Sequence, residues 1–170
     1  MLIRRSEPGR SAVEPSGAPR GDVELYVDET GTRRLAIRDG DAPAPGEASA
    51  RILFSSGRFG AAGGPWLFHV GLWTPADFRD EFLAWYAVEH LPILLECRTW
   101  DGCRFVEEAV ADGCQFYALH QMSDRSALDS EQRRLSRSTP WFLRLKANDW
   151  FDERFSRTLY RRAADASRAA

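Results

Sequence analysis

The chain carries three histidines, His69, His90 and His120, and one of them stands in "FLAWYAVEHLPILL", Phe82 to Leu95, two residues ahead of a proline. An imidazole with an unperturbed pKa of about 6.5 both takes and gives a proton near neutrality, so His90 is the first candidate for general acid/base chemistry. Tyr86 precedes it by one helical turn, and its hydroxyl could orient the imidazole or a substrate oxygen. Glu89 is adjacent in sequence but points about 100° away on a helix, so it is not automatically the partner of that imidazole. The competing reading of His90 is a helix cap bonded to a free carbonyl. His69 is a second catalytic candidate, set against a satisfied sheet histidine. His120 shares a strand face with Phe116, Ala118 and Met122, which suits a substrate contact or the core.

Trp73, Phe82, Trp85 and Trp141 offer aromatic walls suited to a planar substrate, although such residues more often fill a core. Arg104 could hold an anionic or phenolate oxygen, whereas the runs "RRLSR" and "LYRRA" read as solvated faces. No metal is expected, because the histidines lack short ligand spacings. Cys97, Cys103 and Cys114 are odd in number, lack a C-x-x-C pair and read as reduced small hydrophobes.

The elements that must position these groups follow from pattern. "WLFHVGLW" alternates as a strand, with Phe68, Val70 and Leu72 on one face and Leu67, His69, Gly71 and Trp73 on the other. Thr74 as cap and Pro75 as first residue start a helix carrying Phe78, Phe82, Trp85 and Tyr86 at helical spacing. Pro92 disfavours helical geometry at Leu91, so this helix is expected to end or bend near His90, where the C-terminal dipole would favour a protonated imidazole. After a "TWDG" turn, "CRFVEEAV" and "CQFYALHQM" form a hairpin through "ADG". "SDRSALDSEQRRLS" reads as a helix capped by Ser123 or Asp124, "STPWFLRLK" as a further helix capped by Thr139, and "WFDERFSRTLYRRA" as a strand.

This strand, helix, strand, strand, helix, strand order over residues 65–162 is the ferredoxin-like βαββαβ arrangement, an α+β fold whose antiparallel sheet has both helices on one face. Its other face, with Leu67 and Trp73, needs a cover, and a second copy of the sheet would supply it in a homodimer. Upstream, residues 1–20 are expected to be disordered. Residues 21–64 are expected to form an appendage with a β-hairpin through "DETGTR", a linker "GDAPAPGEASA" and one more short strand in "ARILFSS". Residues 163–170 read as a tail.

The 170 residues are 44% hydrophobic, enough for a core, and 23 basic against 25 acidic residues leave a net charge of -2. No nucleic-acid or membrane partner is expected from that balance, and without a secretory apolar block a cytoplasmic location follows by default.

Phe82, Trp85-Tyr86, Glu89-His90-Leu91-Pro92, a Trp-x-Gly turn at Trp100 to Gly102, Arg104-Phe105, Tyr117-Ala118-Leu119 and Thr139-Pro140-Trp141 resemble the EthD-like family of dimeric α/β-barrel proteins. The usual turn of that family is replaced here by "CRTWDG", and the segment before residue 65 is outside its pattern. The resemblance implies a cofactor-independent barrel with a hydrophobic pocket between sheet and helices and a helix-end histidine as acid/base. The implied activity is that of a dehydratase, cyclase or isomerase on a hydrophobic aromatic or polyketide-like substrate. A cofactor-free monooxygenase and a non-catalytic small-molecule-binding or stress-related barrel are the alternatives.

Overall fold

Alternation along Trp66–Thr74 sends its two faces into different cores. Val70 and Leu72 pack with Phe82, Trp85, Phe105 and Phe116, whereas Leu67 packs with Tyr26, Leu35, Ile37, Val106 and Leu119. The computed structural model describes residues 2–6, 23–38 and 48–163. In chain order the strands are β1 (Leu2–Ser6), β2 (Val23–Asp28), β3 (Arg34–Arg38), β4 (Ala48–Gly57), β5 (Trp66–Thr74), β6 (Trp100–Ala109), β7 (Cys114–Met122) and β8 (Ser156–Arg162). The helices are α1 (Arg79–Trp85), α2 (Leu91–Leu95), α3 (Glu131–Ser136) and α4 (Pro140–Lys146).

Strands β5 to β8 lie in the antiparallel order β8-β5-β7-β6, with the helices on one face, as the ferredoxin-like expectation requires. The N-terminal strands then alter the picture. Strand β2 pairs with β8, β4 pairs with β6, and β1 bridges β3 to β4, closing eight strands into one barrel. Residues 21–64 are therefore no appendage, and Leu2–Ser6 is a strand rather than part of a disordered tail. The rest of the expected tail, residues 40–47 of the expected linker and residues 164–170 lie outside the described residues, whereas the end of that linker, Ala48 to Ala50, is already strand β4.

Closure also answers what covers the second sheet face. Tyr26, Leu35 and Ile37, all 2% exposed or less, seal Leu67 and Leu119 inside the barrel. The chain supplies this cover by itself, so no open sheet face calls for a second copy.

The helical segment after β5 does not stop at His90. Residues Tyr86–His90 form a π turn in which the Leu91 amide bonds to the Tyr86 carbonyl, and helix continues through Leu95. Proline inside a regular helix costs about 3 kcal/mol through a lost bond and a clash with the carbonyl four residues back. The wider turn absorbs Pro92 where that carbonyl, of Val88, would otherwise collide. His90 thus sits within a helical run, without the C-terminal dipole expected of it.

Further local differences have plain causes. Asp124 caps a short 3-10 turn at Arg125–Asp129, and Ser130 caps the separate helix α3, so "SDRSALDSEQRRLS" is two pieces. Thr139 caps α4 as expected, and its hydroxyl also donates to Glu89 at 2.6 Å, tying α4 to the π turn. Asp149–Asp152 forms a 3-10 turn, burying Trp150 and Phe151 in the helix-side core, and strand begins only at Ser156. No helix among the described residues is long and apolar enough to cross a membrane.

Candidate active site

A cavity of about 420 Å³ lies between the helices and the β5–β7–β6 face of the sheet. Phe68, Val70 and Leu72 contribute its sheet side, and Trp85, Leu94 and Phe142 its helical side. The polar groups on its wall are Tyr86, His90, Trp100 and His120, while Arg133, Arg137, Lys146 and Arg157 add positive charge and Asp152 one carboxylate.

Trp100 reaches this wall through a defect in β6. The register pairs Trp100 with Met122 but Gly102 with Gln121, so Asp101 is an inserted residue. Simple alternation from Cys103, which belongs to the helix-side core, would turn Trp100 into the barrel. The bulge shifts the alternation by one and turns it toward the helices instead. Asp101 is pinned in place: its carboxylate accepts from Arg58 and from the Gly64 amide, and its carbonyl from the Arg58 amide. Gly57 has a φ of 74° and lies so close to the Asp101 carbonyl that a side chain would collide with it. What the sequence suggested as a Trp-x-Gly turn is this bulge.

The hydrogen bonds fix the protonation of the two cavity histidines. Trp100 Nε1–H, a donor only, bonds to His120 Nδ1 at 3.0 Å, so that nitrogen is bare. Burial holds the His120 pKa well below its ordinary value, and the ring is neutral. Its single proton is then on Nε2 and is donated to the Tyr86 oxygen at 2.6 Å. Burial keeps the Tyr86 phenol neutral as well, by raising its pKa well above the usual value. Since Tyr86 accepts from His120, its own O–H remains to be donated.

His90 has the complementary arrangement. Its Nδ1 lies 3.3 Å from the Ser136 carbonyl, which can only accept, so the proton is on Nδ1 and Nε2 is bare. Burial lowers its pKa to about 4, opposed by the Ser136 bond and assisted by Arg137 and Arg133. A helix C-terminus at His90 would have favoured the protonated ring instead, but helix continues past it to Leu95. The ring centroids of Tyr86 and His90 are 4.9 Å apart, so the ring that carries the unspent donor packs against the ring that carries the unspent acceptor.

These shifts predict how stability depends on pH. A histidine whose folded pKa lies below its unfolded value of 6.5 favours the native state at neutral pH and loses that contribution as the pH falls toward the folded value, about 4 for His90. Carboxylates with lowered pKa values, such as Glu107 held at about 2 by Arg79, lose theirs only below about 4.5. Urea-unfolding free energy should therefore decline from pH 6.5 to 4.5, and the decline should be shallower in His90→Gln. A stability that rose over this interval would contradict the assignment of His90 as neutral.

Of the sequence candidates, the fold brings Tyr86, Trp85, His90 and His120 to one cavity. His69 is on the other sheet face, its ring 5.3 Å from Tyr117 and 6.2 Å from Tyr160 inside the barrel. Arg104 lies on that side too, its guanidinium 4.5 Å from the Phe59 ring. Phe82 is core, stacked on Phe116. Trp73 lies near the end of β5 and donates to Asp112 O in the β6–β7 turn, and Trp141 bonds Glu81 away from the cavity. Trp100, Arg133 and Arg137 were not among the candidates, the last two having been read as solvated. Among the described residues no cluster of His, Cys, Asp or Glu is placed to hold a metal.

No protein-family model matches this sequence, and no curated protein matches it. Solved structures do share its shape. An anthrone oxidase-like protein superposes with a TM-score of 0.68 at 6% identity, covering 96% of this chain and 90% of its own. A ferredoxin-fold protein related to antibiotic biosynthesis monooxygenases, from Listeria monocytogenes, gives 0.63 at 14% identity, with 96% and 94% covered. The heme-degrading enzyme LmHde, also from Listeria monocytogenes, gives 0.61 at 13% identity, with 95% and 99% covered. Nearly the whole chain, N-terminal strands included, takes part in these superpositions, and at such low identity what they establish is architecture: this is an α+β protein of the ferredoxin-like fold, with an antiparallel, curled sheet carrying its helices on one side.

Proposed function

We propose that the protein is a cofactor-independent enzyme acting on a hydrophobic aromatic or polyketide-like molecule bound in the cavity, with His90 as general base. The observation that carries this reading is the pairing of one unspent donor, Tyr86 O–H, with one unspent acceptor, His90 Nε2, on the wall of an apolar cavity. Such a pair suits removal of a proton from carbon next to a carbonyl: Nε2 takes the proton while the phenol donates to the oxygen that becomes an enolate. An oxyanion forming beside the ring would in turn favour imidazolium, offsetting the low pKa that burial gives it in the free protein. Returned to a leaving hydroxyl the same proton completes a dehydration, returned to another carbon an isomerisation, and delivered to the alkoxide formed when the enolate carbon attacks a second carbonyl a cyclisation.

A second reading has specific support. Several structural neighbours are described as monooxygenase-like, and one as anthrone oxidase-like. In a cofactor-free monooxygenase the same carbanion would react directly with oxygen. Anthrone, a planar tricyclic ketone with an acidic methylene, tests both readings in sequence. Under nitrogen in D2O, the protein should accelerate deuteration of that methylene, and Tyr86→Phe should slow the catalysed rate by about tenfold through loss of one donor to the oxygen. On admitting air, uptake of one O2 per anthraquinone and water formed selects the oxygenase. Exchange without oxygen uptake favours the lyase or isomerase reading, and tight binding with no exchange leaves a binding protein.

A further inference from the structure

We propose that Arg133, Arg137 and Arg157 form an anion subsite at the cavity, and that the molecule bound there is an aromatic carboxylate, its ring among the apolar side chains and its carboxylate at the guanidinium groups. This rests on the reading of the cavity as a small-molecule site and deepens it by naming the charge of the occupant.

All three arginines line the cavity, two from the α3 segment and one from β8. Arg133 is half-buried, its Nη1 donates to the Leu128 carbonyl, and its guanidinium stands 5.7 Å from the ring of Phe68, an apolar wall residue. Arg157 lies over the Phe155 ring, also at the cavity. The groups are near enough to act on one another: the pKa of Arg133 is lowered by burial first and then by Arg137 and Arg157, with Asp129 the weaker opposing charge.

Several arginines elsewhere in the chain are matched by carboxylates, as in Arg51 and Arg79 on Glu107, Arg58 on Asp101, Arg144 on Glu81 and Arg154 on Asp112. Asp152, the acidic residue on the cavity wall, is engaged by Lys146, and Asp129 acts on Arg133 without forming a salt bridge to it. None of the three makes an ion pair among the described residues. Like charges held together against an apolar cavity repel, and an anion between them converts that repulsion into charge-assisted hydrogen bonds. The planar fork of a guanidinium fits a carboxylate in particular.

The experiment compares 2-naphthoate with its neutral isostere 2-naphthamide by calorimetric titration of the whole protein. The acid should bind about tenfold or more tightly than the amide, as one or two charge-assisted hydrogen bonds would give, and the preference should shrink with added salt. Arg137→Gln/Arg157→Gln changes two exposed side chains, so the fold should persist, and it should reduce the acid-to-amide ratio toward one while leaving amide affinity unchanged. Arg133→Gln should act in the same direction. Equal binding of acid and amide to the unaltered protein overturns the subsite and leaves the aromatic cavity standing. A preference for the acid that survives in both variants overturns it too, since the carboxylate is then held elsewhere. Binding of neither probe overturns the cavity reading and the subsite together.

Discussion

His90→Gln is expected to fold and to lose about 10² to 10⁴ of the turnover of any substrate whose reaction starts with proton removal, the usual range for deleting a general base. The fold should survive because the glutamine amide can replace the Nδ1–H bond to the Ser136 carbonyl, and because deleting a neutral ring leaves no buried charge behind. The pH profile separates catalysis from structure. With a pKa of about 4 in the free protein, His90 is competent as a base across neutrality, so kcat/KM should be level there and fall as the pH drops through that value. The acid limb should be missing from the residual activity of the variant. If the wild-type profile breaks near 6.5 instead, or if the variant turns over at the wild-type rate, then the ring is a structural partner of Ser136 and the base lies elsewhere on the cavity wall.

The ferredoxin-like unit was legible because its signals are local. Alternation in "WLFHVGLW", the "ADG" hairpin and the Thr139-Pro140 helix start all correspond to elements at those places. The π turn was not, because proline reads as a helix terminator, and whether a wider turn absorbs it depends on the sheet beneath. Barrel closure was not legible either, since it depends on β1 pairing with β3 and β4 across long stretches of chain. A strand of five residues flanked by Pro, Gly and Ser carries little pattern of its own.

The site was half legible for the same reason. His90 and Tyr86 lie one turn apart in sequence, and any helical reading brings them together. Trp100 and His120 meet only because a bulge at Asp101 reverses a side chain, and that bulge is held by Arg58 and Gly64, about forty residues upstream in the chain. From sequence His69 is the stronger pocket candidate and His120 the more core-like, and what reverses the order is the parity of their strands: Phe68 and His120 are register partners on the helix face, whereas His69 faces the barrel interior. The run "RRLSR" looked solvated because charge runs usually are, and nothing in five residues tells which arginines overhang a cavity.

Truncation to residues 65–163 should abolish the folded monomer, although the fragment holds every element of the ferredoxin-like unit. In the intact chain Leu67, Val106 and Leu119 are fully buried and Tyr117 and Tyr160 nearly so, against a cluster that includes Tyr26, Leu35 and Ile37. At about 1.5–3 kcal/mol for each large apolar side chain returned to water, exposing these five costs on the order of 10 kcal/mol, which matches or exceeds the stability of a typical domain. The cut also strips partners from the edge strands β6 and β8, leaving two rows of unpaired backbone groups. The fragment is therefore expected to be unfolded or aggregated at low concentration, or to fold only by pressing two exposed faces together, with a stability that rises with protein concentration. Circular dichroism and light scattering over a hundredfold dilution distinguish these states. A fragment that stayed monomeric, folded and close to the full chain in its urea midpoint would show that the N-terminal strands merely decorate the sheet, and would restore the reading of residues 21–64 as an appendage.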